Sequence, residues 1–102
     1  MTTLSHRTLT ILDSPYTIQA TDYIVGIDTT NGAVTINLPS ASEAGAGFTF
    51  IVKDEGGRTA VANVTVQAPV TQYIDGADCM VVKTNYSSYQ LYTNGNNWFV
   101  LD

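Results

Sequence analysis

The chain has 102 residues, a formal net charge of −5, 44% hydrophobic residues and only 13% charged ones. That length makes one domain, and a charged share about half the usual roughly 25% suits a surface that stays covered in a permanent assembly. The four basic residues Arg7, Lys53, Arg58 and Lys83 are scattered, which excludes the clustered cations that nucleic acid or an anionic membrane needs, and no apolar run is long enough to span a bilayer.

Residues 1–7 are polar and lack the basic-then-apolar order of a secretory leader. They are expected to form a flexible arm, with an exposed His6, ahead of a single β domain over residues 8–102, in a chain made in the cytoplasm. Residues 7–12 alternate apolar and polar, as a half-buried strand does. A short strand follows at 16–18. Residues 22–27 are more continuously apolar and read as a central strand. Residues 28–32 end in Asn31-Gly32 and read as a hairpin loop, returning into 33–38, where Val34, Ile36 and Leu38 share one face. Pro39 ends that strand. Within 39–47, Ala41-Ser42-Glu43-Ala44 is the one helix-like run, and Gly45 stops it within a turn.

Residues 48–53 make the strongest strand by composition, and Asp54-Glu55-Gly56-Gly57 reads as a solvated turn. Strands are expected again at 63–67, 72–75 and 80–83, with Cys79 a buried, unreactive thiol in an apolar run. A hairpin closes the chain. Its strands are 87–93 and 97–101, its turn is Asn94-Gly95-Asn96, and its return strand holds the only tryptophan, Trp98. Short strands punctuated in this way predict an all-β fold, an antiparallel β-sandwich or barrel-like meander of about ten short strands.

The sequence offers no catalytic, cofactor-binding or metal-binding residue set. A zinc site needs three or four His and Cys ligands, and the chain holds only His6 and Cys79. Gly45-Ala46-Gly47 opens no helix, so it is no phosphate loop, and Asp75-Gly76-Ala77-Asp78 lacks the spacing of a calcium loop. The aromatic residues say more. Tyr86, Tyr89 and Tyr92 lie close together, and in an extended strand Tyr89 and Tyr92 point to opposite faces. At least one of them is therefore expected at a surface or an interface.

Four runs carry a family resemblance: Tyr23-Ile24-Val25-Gly26-Ile27-Asp28-Thr29-Thr30-Asn31-Gly32 with the strand and Pro39 after it, Phe50-Ile51-Val52-Lys53-Asp54-Glu55-Gly56-Gly57, Ile74-Asp75-Gly76, and Leu91-Tyr92-Thr93-Asn94-Gly95-Asn96-Asn97-Trp98-Phe99-Val100. In that order they resemble a small β domain of bacteriophage and other virus structural proteins, found at the ends of tail fibres or as a virion surface module. The resemblance spans residues 14–101 and implies a non-enzymatic, homotrimeric protein. The start at Met1, with no shaft before it, favours a capsid cement or decoration protein on the outer surface of the virion. Such a protein would bind the major capsid protein and stabilise contacts between its subunits. On that expectation Leu4, His6 and Arg7 contact the capsid, and Tyr86, Tyr89, Tyr92 and Trp98 form the trimer interface. The alternatives are a tail-fibre or receptor-binding tip that recognises a host glycan or protein, and a small carbohydrate-binding module outside any virus. No cofactor, metal, nucleic acid or membrane partner is expected.

Overall fold

A computed structural model describes residues 3–101. Within them are nine strands: β1 (His6–Leu9), β2 (Tyr16–Thr17), β3 (Ile24–Ile27), β4 (Val34–Asn37), β5 (Thr49–Asp54), β6 (Val64–Gln67), β7 (Cys79–Val82), β8 (Ser88–Thr93) and β9 (Trp98–Val100). The only helical pieces among the described residues are a 3-10 turn, Ile11–Asp13, and the single turn α1 (Ala41–Ala44), which stops at Gly45 with φ of 89°. The fold is all-β, in two mixed sheets ordered β1-β3-β5-β8-β9 and β2-β4-β6-β7.

Up to β6 the chain alternates between the sheets, and each strand lies parallel to the one two places before it. The first six strands therefore wind as three coils, with the return path of each coil supplying the other sheet. The chain then reverses: β7 pairs antiparallel with β6, β8 with β5, and β9 with β8. This corrects the expected antiparallel meander, since four of the seven pairings are parallel. The reason is local. Residues 28–32 turn tightly, with Gly32 N–H donating to the Thr29 carbonyl at 3.1 Å, but the chain crosses to the other sheet instead of folding back on β3. An Asn-Gly pair sets the curvature of a turn and leaves open which strands meet.

Side-chain alternation places the core. Val34 and Ile36 of β4, Val64 and Val66 of β6, and Phe50 and Val52 of β5 all point inward and are buried. With Leu9, Val25, Ile27, Leu91 and Val82 they form one cluster fed by both sheets. Trp98 is 0% exposed and meets Phe48 and Phe50 edge-on, with ring centroids 6.1 and 6.3 Å away. Its indole is core, so the expected role in trimer contact is withdrawn for this residue.

Two expected strands come out differently. The alternating run at 7–12 ends at Leu9, because Thr10 caps the 3-10 turn: its hydroxyl accepts from Leu12 N–H at 3.3 Å, and the Asp13 carboxylate accepts from Thr10 N–H at 2.9 Å. Residues 72–75 do not form a strand. They run along the outer edge of β9 instead, where Trp98 N–H donates to the Tyr73 carbonyl at 2.9 Å and Asp75 N–H to the Trp98 carbonyl at 3.1 Å. Cys79, at the start of β7, is half-buried where full burial was expected.

Candidate interaction surfaces

The first coil places the expected capsid-contact residues. Leu4 precedes β1 and is exposed. His6 and Arg7 are not part of an arm; they belong to β1 and pair in register with Ile24 and Val25. Because Leu9 points into the core, Arg7 shares its side of the sheet, and His6 and Thr8 face outward. Arg7 therefore reaches between the sheets. Its Nε donates to Asp22 Oδ1 at 2.9 Å, and its guanidinium lies 5.1 Å from the ring centroid of Tyr16 on β2. Tyr16 in turn donates to Asp22 Oδ2 at 2.6 Å, and Gln19 N–H donates to the same oxygen at 2.8 Å.

Asp22 is thus a nearly buried carboxylate that closes the open end of the coil from the β2–β3 connection. Burial pulls its pKa up, but the hydrogen bonds from Tyr16, Gln19 and Arg7 outweigh this and hold it below the usual carboxylate range. Burial, helped by the bond to Asp22, pushes the Tyr16 phenol up to about 12. Replacing Tyr16 with Phe is expected to cost about 1–2 kcal/mol at neutral pH. A lowered folded pKa stabilises above the usual carboxylate range, and the stabilisation fades as pH falls through the folded value. Loss of the Tyr16 donor raises that value, so acid unfolding of Tyr16→Phe begins at a higher pH, which a circular-dichroism acid titration measures.

On the outward face, His6 Nε2 and Glu55 Oε2 lie 2.8 Å apart. Glu55 follows β5, and its carboxylate lies flat over Gly26 of β3, on ground that a β-carbon would occupy. The imidazole is thereby tied across three strands.

The aromatic cluster divides. Along β8 the inward positions are Tyr89, Leu91 and Thr93, and the outward ones are Ser88, Gln90 and Tyr92, as the alternation requires. Tyr89 packs against the core. Tyr92 stacks on Phe99 of β9 with centroids 5.4 Å apart and planes 28° apart. Beside them on the outer face of the first sheet lie Thr49, opposite Tyr92, and the paired Ile24 and Ile51, all half-buried. Phe99 escapes a reading confined to tyrosines; its outward direction follows once Trp98 is known to point inward.

Whereas Tyr92 lies near one end of β8, Tyr86 stands apart, in the turn that precedes the other end of that strand. It is 62% exposed with φ of 62°, and its ring covers Gly57 where a β-carbon would clash. The Lys53 ammonium donates to its carbonyl. Its N–H donates to Asp54 Oδ2 at 2.9 Å. Asp54 is the residue that sequence reasoning missed. Instead of a solvated turn residue it is the last inward position of β5, 1% exposed. Its carboxylate also accepts from Gly57 N–H at 2.9 Å, from Thr59 N–H at 3.2 Å and from the Thr59 hydroxyl at 3.0 Å.

Two surface depressions flank the first coil. A polar groove of about 440 Å³ follows the outer edge of β1 and is lined by Ser5, His6, Arg7, Thr8, Thr21 and Asp22. A second, of about 270 Å³, lies between Thr17, Glu43 and Phe48. Among the described residues no three His, Cys, Asp or Glu side chains converge as a metal site would need, and no helix is long and apolar enough to cross a membrane. No protein-family model matches the chain, and no curated protein matches it.

Proposed function

We propose that the chain is a non-enzymatic virion structural protein: a homotrimeric capsid cement protein, built as a two-layer sandwich, that binds the major capsid protein on the outer shell. The observation that carries this reading is the half-buried apolar patch on the outer face of a hydrogen-bonded sheet, made by Ile24 and Ile51 in one cross-strand row and Tyr92 and Phe99 in the next. Partly exposed aromatic and aliphatic side chains on a stiff surface suit a contact between proteins. The low charged share and the resemblance over residues 14–101 point the same way. The mechanism is mass action: a protein that binds only the assembled shell stabilises it by its own binding free energy.

Within this reading the trimer contact rests on Tyr92 and Phe99, with exposed Tyr86 at a separate site, and Tyr89 turned to the core. The test is the mass in solution by light scattering, followed by co-sedimentation with capsids and with host cells. Trimers that load onto capsids and ignore cells support a cement protein. Binding to cells alone moves the assignment to a tail-fibre tip. Tyr92→Ala combined with Phe99→Ala is expected to convert trimers to monomers while leaving the far-ultraviolet circular dichroism unchanged. A trimer that survives both changes places its interface elsewhere.

A further inference from the structure

The ends of the two sheets are not treated alike. The outer edge of β9 is covered by Tyr73 to Asp75, whose backbone groups pair with Trp98, and by the Asp75 carboxylate, which accepts from Val100 N–H at 3.3 Å. On β2 the outward Thr17 carbonyl is taken by Gln19 Nε2 at 2.8 Å. No described residue pairs with the outer edge of β1. On β1 the carbonyls of Ser5 and Leu9 accept from Ile24 and Asp28 N–H, at 3.0 and 2.9 Å, so the backbone groups of Ser5, Arg7 and Leu9 face β3. The N–H and C=O of His6 and Thr8 therefore face away, into the polar groove that follows this edge. The edge of β7 also ends its sheet, and the depression nearest to it is lined from residues 67–73 and Asp78 and by no residue of β7 itself.

We infer that the free edge of β1 takes an extended segment of a partner protein as an added strand. The occupant is identified by what the edge offers: alternating backbone donors and acceptors in a groove, which only another extended backbone satisfies in series. Its side chains toward the groove are uncharged and polar. Arg7 and His6 are already matched by Asp22 and Glu55, and what remains is the hydroxyls of Ser5, Thr8 and Thr21. A second copy fits worse. Each copy carries −5, and the two-fold pairing that sets His6 of each copy against Thr8 of the other puts Arg7 directly opposite Arg7. In the proposed function the partner is the shell protein, and the inference rests on that reading.

The test uses the full-length protein and capsids free of it. Thr8→Pro removes an outward N–H without touching a β1–β3 bond, and proline is tolerated at such an edge position. Wild-type protein bound to capsids is expected to show slowed amide exchange at His6 and Thr8, and Thr8→Pro to load at least about tenfold more weakly with its melting temperature kept. Capsid loading with no protection at His6 and Thr8 overturns the added strand and leaves the cement reading standing. No loading of wild-type protein overturns both. Protection that grows with protein concentration in the absence of capsids assigns the edge to a second copy and overturns the partner. The exchange measurement decides the matter even if Thr8→Pro folds poorly.

Discussion

Asp54→Ala is expected to destabilise the protein by at least about 3 kcal/mol and to lower its melting temperature by roughly 15 °C. The carboxylate gathers donors from three residues in two separate connections: Gly57 and Thr59 between β5 and β6, and Tyr86 in the turn before β8. Alanine leaves the N–H groups of Gly57, Thr59 and Tyr86 without that acceptor, while the Thr59 hydroxyl keeps the Thr84 carbonyl at 2.8 Å, and a stranded buried donor costs more than an average hydrogen bond contributes. Asparagine keeps the shape but turns one oxygen into a donor among donors, so Asp54→Asn recovers only part of the loss. The pH dependence separates this from a packing defect. Burial pulls the Asp54 pKa up, yet the bonds from Tyr86, Thr59 and Gly57 hold it below the usual carboxylate range. Its stabilisation is complete at neutral pH and is lost as pH falls through that lowered value. The gap between wild type and Asp54→Ala, measured by urea unfolding, should therefore be full at pH 7 and shrink below about pH 4. A gap that does not change with pH would show that the carboxylate's charge contributes nothing.

Trp98→Ala is expected to cost about 3–5 kcal/mol, comparable to the whole stability of a weakly stable domain of this size. The indole is the largest side chain in the core and braces Phe48 and Phe50 edge-on, at interplanar angles of 87° and 74°. Its removal leaves a cavity that neither ring can fill without leaving its edge-on contact. The loss should be the same at all protein concentrations, because the missing contacts lie within one chain. A loss that disappears on dilution into the monomer range would return Trp98 to an interface. Chemical unfolding over a wide range of protein concentrations distinguishes the two.

The strands were legible because their signal is local. Alternation at 33–38, 48–53 and 63–67 marks both extended chain and its inward face, and the structure places Val34, Ile36, Phe50, Val52, Val64 and Val66 as that alternation requires. Strand partners were not legible. Parallel neighbours here are 18 residues apart for His6 and Ile24 but 27 for Ile24 and Ile51, so the coils do not repeat at a fixed period. Much of the added length lies in the connection from β4 to β5 that carries α1, and no periodic sequence motif survives it. Asp54 was hidden by company. Asp-Glu-Gly-Gly has turn composition, yet the inward phase of Phe50 and Val52 already ran on to Asp54. The Arg7–Tyr16–Asp22 cluster left no sequence trace, because it joins a strand of each sheet to a connection.

β1 and β9 occupy opposite edges of the same five-stranded sheet. Four inter-strand steps of about 4.8 Å separate them, roughly 19 Å in all. Anything held at β1 is thus joined to anything held at β9 by backbone bonding running straight across the strands. The separation of the two edges is set by the number of strands, so surface substitutions can alter what either edge presents while the distance between them stays constant.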